Sequence, residues 1–194
     1  MNLLEIEKIS FSYGEKMILR DFSLKLGKGE RICLSGVSGS GKTTLFRLIS
    51  GLEKPDSGRI SLNGNIACLF QEDRLLPWYT AEGNLTLFGA TPERASELLS
   101  SLGIPLEDQK KFPRELSGGM NRRVAIARTI ITGGEILLLD EPFSGLDEAT
   151  RKRAADVLMK AFQSAAVIMI THIPEESTLI GAEIVNFVPD GRGK

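Results

Sequence analysis

No stretch of the chain limits its fold more than "GVSGSGKTT", Gly36 to Thr44. It fits the pattern GxxxxGK[ST], with the apolar run "RICLS" ahead of it and a helical pattern, Lys42 to Ser50, behind. Strand, glycine-rich turn and helix in that order gather backbone N–H groups and the positive end of a helix around one point, an arrangement suited to phosphate. The candidate nucleotide-binding residues are therefore Gly36, Val37, Ser38, Gly39, Ser40, Gly41, Lys42, Thr43 and Thr44. Glycines let the amides converge on the β and γ phosphates, Lys42 adds positive charge, and the Thr43 hydroxyl suits one position on Mg²⁺. A merely glycine-rich turn would need neither the strand nor the helix.

The rest of the chain supplies the sheet that such a loop requires. "EILLLDEP" and "AAVIMITH" are continuous apolar runs ending in polar residues, which suits strands covered on both faces in a parallel sheet. Between them, Ala154, Val157, Leu158, Ala161 and Phe162 form a helical stripe. The first third reads as β: "FSLKL" puts Phe22, Leu24 and Leu26 on one face and Ser23 and Lys25 on the other, and "RISLN" and "NIACLF" are two further short strands. In "TPERASELLSSLG", Thr91 is a candidate N-cap, Pro92 takes the first helical position, and Ala95, Leu98, Leu99 and Leu102 recur at helical spacing. The expected class is α/β: a P-loop NTPase core with a largely parallel sheet, an N-terminal antiparallel β subdomain and a small helical insertion. At 194 residues the chain is expected to form a single domain, 1–194, with 72–116 as the insertion and 1–71 and 117–194 as the nucleotide-binding core.

Composition disfavours several other classes. With 24 basic residues against 25 acidic ones, the formal net charge of -1 lacks the basic footprint of a nucleic-acid binder. Cys33 and Cys68 stand alone in apolar runs and His172 is the one histidine, so buried thiols are expected rather than a disulfide framework or a Cys/His metal site. Neither a charged-then-apolar leader nor an apolar run of membrane-spanning length is seen, which points to a cytoplasmic chain whose membrane role would need a partner.

Two further motifs bear on chemistry. "ILLLDEP" delivers Asp140 and Glu141 to the carboxyl end of a strand, where open α/β sheets bind ligands. There Asp140 would hold Mg²⁺ and Glu141 would orient or deprotonate an attacking water; the competing reading is a helix-capping turn. "LSGGM", Leu116 to Met120, opens an Arg-rich amphipathic stretch. Ser117 alone would be an ordinary N-cap. A cap does not need Gly118 and Gly119, each of which costs about 1 kcal/mol relative to alanine within a helix. Bare amides at a helix start suit a phosphate approaching the backbone. Phosphate loop and acidic strand alone leave small-molecule kinases open, but a kinase would not explain "LSGGM".

In this order the motifs resemble the ATP-binding subunit of an ABC transporter, over nearly the whole chain. "FSYGEKMILRDFSLKLGKGE" resembles the family's opening segment, "GVSGSGKTT" its phosphate loop, "LFQED" the loop leading to its helical subdomain and "LSGGM" its signature. "LLLDEP" matches the acidic strand, "SGLD" the dimer-contact loop and "MITH" the switch histidine. The resemblance implies ATP hydrolysis with Mg²⁺, powering substrate transport through a separate membrane permease, with import the favoured direction. It implies two subunits head to tail, each ATP lying between one phosphate loop and the other subunit's signature. Ser117, Gly118, Gly119, Met120 and Asp147 then act in trans, opposite a second copy or a paralogous ATPase subunit, and the signature needs no lysine. Tyr13 would stack on adenine. Glu141, His172 and Gln71 would be the catalytic set, with His172 on the γ phosphate, and Thr43, Gln71 and Asp140 would serve the metal. The permease would dock near Leu75, Leu76, Trp78 and Tyr79, which puts the chain on the inner face of the cell membrane, with a substrate-binding protein as a further partner and no nucleic acid.

"QEDRLLPW" particularly resembles nitrate, sulfonate and taurine importers. The chain also departs from the family pattern. Met120 stands where glutamine commonly ends the signature, the strands between Gly51 and Gln71 and the helical insertion are shorter than usual, and the sequence stops soon after "IVNFVPD". The alternative within the family is a soluble ATPase that remodels nucleic acid or ribosomes, which near-zero charge and the lack of a long coiled-coil or basic insertion disfavour.

Overall fold

The computed structural model describes residues 2–37 and 39–190, so the expectation for Ser38 lies outside the described residues. In chain order its strands are β1 (Asn2–Tyr13), β2 (Lys16–Gly27), β3 (Arg31–Ser35), β4 (Ser57–Leu62), β5 (Ile66–Leu69), β6 (Ile136–Asp140), β7 (Ala166–Ile170) and β8 (Glu183–Asn186). The helices are α1 (Lys42–Ile49), α2 (Gly83–Thr86), α3 (Pro92–Ser101), α4 (Leu106–Gln109), α5 (Gly118–Thr132), α6 (Glu148–Ala161) and α7 (Glu175–Ile180). They fall into two compact units: Met1–Cys68 with Gly134–Asp140 and Ser164–Lys194, and Leu69–Gly133 with Glu141–Gln163.

The first unit holds a three-stranded antiparallel sheet of order β2-β1-β4 and the five-stranded sheet β5-β6-β7-β3-β8, in which β6, β7, β3 and β8 run parallel. The antiparallel sheet is irregular for local reasons. Lys8 and Asp21 take left-handed backbone conformations where the β1–β2 register shifts, and their amides donate to the Ser23 and Ser10 hydroxyls at 2.9 and 3.1 Å instead of to the ladder. Opposite the first bulge only glycine fits, because a Cβ at Gly58 would overlap the Glu7 and Lys8 carbonyls. In the parallel sheet, β6 and β7 are buried at every residue, as their unbroken apolar runs require. Leu45, Phe46 and Ile49 of α1 join these strands in one core, which fixes the start of α1 beside the carboxyl end of β3.

The second unit is helical. Thr91 caps α3 by accepting the Arg94 amide at 3.2 Å, and Ala95, Leu98, Leu99 and Leu102 are all buried. The arginines that make α5 look basic in sequence turn inward. Arg123 donates to the carbonyls of Leu102 and Gly103 at 3.1 and 2.7 Å, and Arg128 to those of Asp73 and Arg74 at 2.9 and 2.7 Å. Burial pushes both guanidinium groups below their ordinary pKa. Fully buried Asn84 accepts the Leu76 amide at 2.8 Å and donates to the carbonyls of Leu76, Tyr79 and Thr80 at 3.1, 3.1 and 3.0 Å. One satisfied amide thus shapes the turn that presents Trp78, which is 80% exposed. Among the described residues, no helix is long and apolar enough to cross a membrane.

Candidate nucleotide site

The loop from β3 to α1 is shaped by its own residues. Gly39 and Gly41 adopt φ of +76° and +104°, and a Cβ at Gly41 would come within 2.8 Å of the Ile18 side chain. Buried Lys42 donates from Nζ to the carbonyls of Gly36 and Val37 at 2.8 and 2.9 Å and to the Ser40 hydroxyl at 3.3 Å. The ammonium therefore sits inside the curl it closes. Helix α1 starts with no side-chain cap and no acidic residue in its first turn, so the positive end of the helix is not offset by its own residues and suits an anion.

The exposed Thr43 hydroxyl lies 3.4 Å from Oδ2 of Asp140, a residue only 3% exposed at the end of β6. Among the described residues, no group of three or more His, Cys, Asp or Glu could cage a metal. The Thr43 hydroxyl and the Asp140 carboxylate are neighbouring oxygen donors of the kind that suits Mg²⁺, which retains several waters and binds through one or two protein oxygens together with substrate phosphates. His172 follows β7, is exposed, and lines a cavity of about 190 Å³ with Ser35, Gly36 and Thr171. Its turn is braced by a pair that sequence reasoning missed: Thr171 Oγ1 donates to buried Glu176 at 2.5 Å and accepts the Ile173 amide at 3.1 Å. Tyr13, at the end of β1, meets Phe11 edge to face at 4.8 Å and remains 44% exposed, so ring surface is available for stacking.

The other candidates belong to the second unit. Ser117 caps α5 by accepting the Met120 amide at 3.2 Å. The two signature glycines differ. A Cβ at Gly119 would lie 3.3 Å from the Gly145 carbonyl oxygen, whereas one at Gly118 meets nothing outside its own helix within 4 Å. Tight packing accounts for Gly119, and the space beside Gly118 is open. Asp147 caps α6, taking the Thr150 amide and hydroxyl at 2.9 and 2.7 Å; these bonds hold its carboxyl below the usual carboxylate range. Glu141 has a left-handed backbone, φ +49°, uncommon for a residue other than glycine.

Gln71 is exposed, and its backbone is tied to Glu141 by a residue outside the sequence-derived candidates. Arg122, 3% exposed on α5, donates to the carbonyls of Phe70 and Gln71 at 2.7 and 3.3 Å, to Asp73 Oδ1 at 3.1 Å, and to the carbonyls of Glu141 and Pro142 at 2.7 and 2.8 Å. Farther along this unit, Leu75 and Leu76 are half-buried while Trp78 and Tyr79 are exposed. Leu87 and Phe88 are also exposed, at 53% and 45%, which periodicity had not suggested.

A glycine loop between a parallel strand and a helix, closed on a buried lysine and paired with an acidic strand end, defines a P-loop nucleoside triphosphatase. Residues 19–144 match the family model described as "ABC transporter". The aliphatic sulfonates import ATP-binding protein SsuB of Corynebacterium glutamicum is 41% identical over 190 residues, covering 93% of this chain and 77% of that protein. The taurine import ATP-binding protein TauB of Pseudomonas putida is 36% identical over 209 residues, covering 98% and 80%. Among solved structures, a dimeric ATP-binding cassette in a post-hydrolysis state, bound to ADP and Pi, superposes with a TM-score of 0.86 at 26% identity, covering 98% of this chain and 97% of that one. The chain belongs to the ABC transporter family, as one of its ATPase cassettes.

Proposed function

We propose that two copies of this chain hydrolyse ATP at shared sites and thereby drive import through a separate membrane permease, with the whole chain, 1–194, acting as one cassette and 72–116 as its helical insertion. The observation that carries this reading is a division of labour. The phosphate loop holds its own cation, Lys42, while the start of α5 offers Ser117 and an open Gly118 with no lysine, and its Arg122 and Arg123 are turned onto backbone carbonyls. Each is half of a phosphate site, and the halves are complementary when the second comes from the neighbouring copy, which also brings Gly119, Met120 and Asp147.

In that site Tyr13 stacks on adenine, and the loop from Gly36 to Thr44 cradles the phosphates. Thr43 and Asp140, with Gln71 as a further candidate, would hold Mg²⁺, which would supply positive charge against the phosphates. Glu141 takes a proton from the attacking water, and His172, beside Gly36, supports the γ phosphate. The permease docks near Leu75, Leu76, Trp78 and Tyr79, of which Trp78 and Tyr79 are exposed, and this would keep the chain on the inner face of the membrane. The relatives' names agree on import and differ on cargo: sulfonates at 41% identity, taurine at 36% and ferric iron at 37%. Cargo choice is therefore assigned to the permease and a binding protein. Remodelling of nucleic acid gains no support, since Arg122, Arg123 and Arg128 turn inward.

Mixing variants tests the shared site. Lys42→Ala and Ser117→Arg should each abolish hydrolysis alone, and an equimolar mixture should recover it, because one of the two sites in a mixed dimer combines an intact loop with an intact signature. A mixture as inactive as its components would refute sharing.

A further inference from the structure

We propose that Arg122 is a positioning residue for hydrolysis: its one guanidinium fixes the backbone of Gln71 and of Glu141 together. The inference rests on the roles given above to those two residues. The side chain is 3% exposed, and its donors reach two segments far apart in sequence, Phe70 to Asp73 and Glu141 to Pro142. Nη2 holds the carbonyl of Glu141 at 2.7 Å, Nε that of Pro142 at 2.8 Å, and Nη1 spans Phe70, Gln71 and Asp73.

Three features make this more than a buried ion pair. First, of the named acceptors only Asp73 is charged; the others are carbonyl dipoles, so the contact depends on direction as well as charge. Second, Glu141 is held at φ +49°, a conformation that persists where surrounding contacts over-determine it. Arg122 on Glu141 and Pro142, together with the Ser144 amide on the Glu141 carbonyl at 3.2 Å, supplies such contacts. Third, the acceptors lie around a planar fork, which arginine fills and the point charge of lysine does not. Displacing a catalytic group by about 1 Å can cost on the order of 100-fold in rate, so a clasp on the backbone of two such groups acts on turnover.

The test compares Arg122→Gln and Arg122→Lys in the full-length protein, measuring turnover and, by calorimetry, nucleotide affinity. Both should lower kcat, Arg122→Gln by about 100-fold, while nucleotide affinity and dimer formation stay at wild-type values. Arg122→Lys keeps the buried cation and so guards against simple misfolding; wild-type kcat in this variant would overturn the proposal. Loss of nucleotide affinity or of the folded dimer in both variants would assign Arg122 a general structural role and overturn it equally. In a Glu141→Gln background, single-turnover hydrolysis should respond much less to Arg122→Gln, because the group being positioned is already disabled. An undiminished, multiplicative loss there counts against positioning. Failure of the underlying reading looks different: Glu141→Gln itself would turn over normally.

Discussion

The phosphate loop and the Glu141 turn are both irregular backbone held by one buried cation, yet the two cations work over different distances in the chain. Lys42 bonds to acceptors 2 to 6 residues away, whereas the acceptors of Arg122 lie 19 to 52 residues away. A phosphate loop is therefore a nearly self-contained device, built wherever its own residues and the adjoining strand and helix are present. The Glu141 turn depends on three distant segments arriving together. On the roles proposed for Lys42 and Glu141, binding and hydrolysis have different structural supports, and they should be separable by mutation.

The largest separation is expected from Glu141→Gln. On the proposed role of Glu141 as general base, its removal should slow turnover by about 100- to 10,000-fold, while ATP binding persists and an ATP-bound dimer accumulates in size-exclusion chromatography. A monomeric, fully active variant would erase the distinction between the two regions. Lys42→Ala should act in the opposite sense. Losing a charge-assisted contact worth about 1.5–3 kcal/mol should weaken nucleotide binding roughly 10- to 100-fold by calorimetry. Its melting temperature should fall less than that of Arg122→Gln, because the carbonyls and hydroxyl that Lys42 meets at 2.8 to 3.3 Å lie within six residues of it. Equal losses of stability would show that the phosphate loop, too, depends on long-range support.

The smallest effect concerns Asp147, whose cap is as local as the Lys42 contacts. Hydrogen bonds from Thr150 lower its carboxyl pKa in the folded state. That cap stabilises fully above the ordinary carboxylate pKa and is lost as pH falls through the lowered value. Asp147→Asn should therefore melt below wild type at neutral pH, with the difference shrinking on acidification. A difference that grows in acid would contradict the assignment.

Much of the site was legible because its determinants act over a few residues. Glycine at left-handed positions, threonine ahead of a helix, an acidic pair at the end of an apolar run and the spacing of Lys42 from Gly36 are all matters of residue type at short range. They specified the α/β class, the phosphate loop, the α3 cap and the fully buried strands β6 and β7. The bulges at Lys8 and Asp21 were not legible, since each depends on a serine of the neighbouring strand.

Tertiary structure alone decided the rest. It gave Gly119 a packing reason and left Gly118 open, braced the His172 turn through Glu176, shaped the Trp78 turn around Asn84, and brought the Gln71 and Glu141 backbones onto Arg122. For Asn84 and Arg122 most acceptors are backbone carbonyls. Every residue carries one, so no pattern of side chains marks which will be met. The sequence named the groups suited to handling phosphate and water, and folding chose the carbonyls that hold them in place.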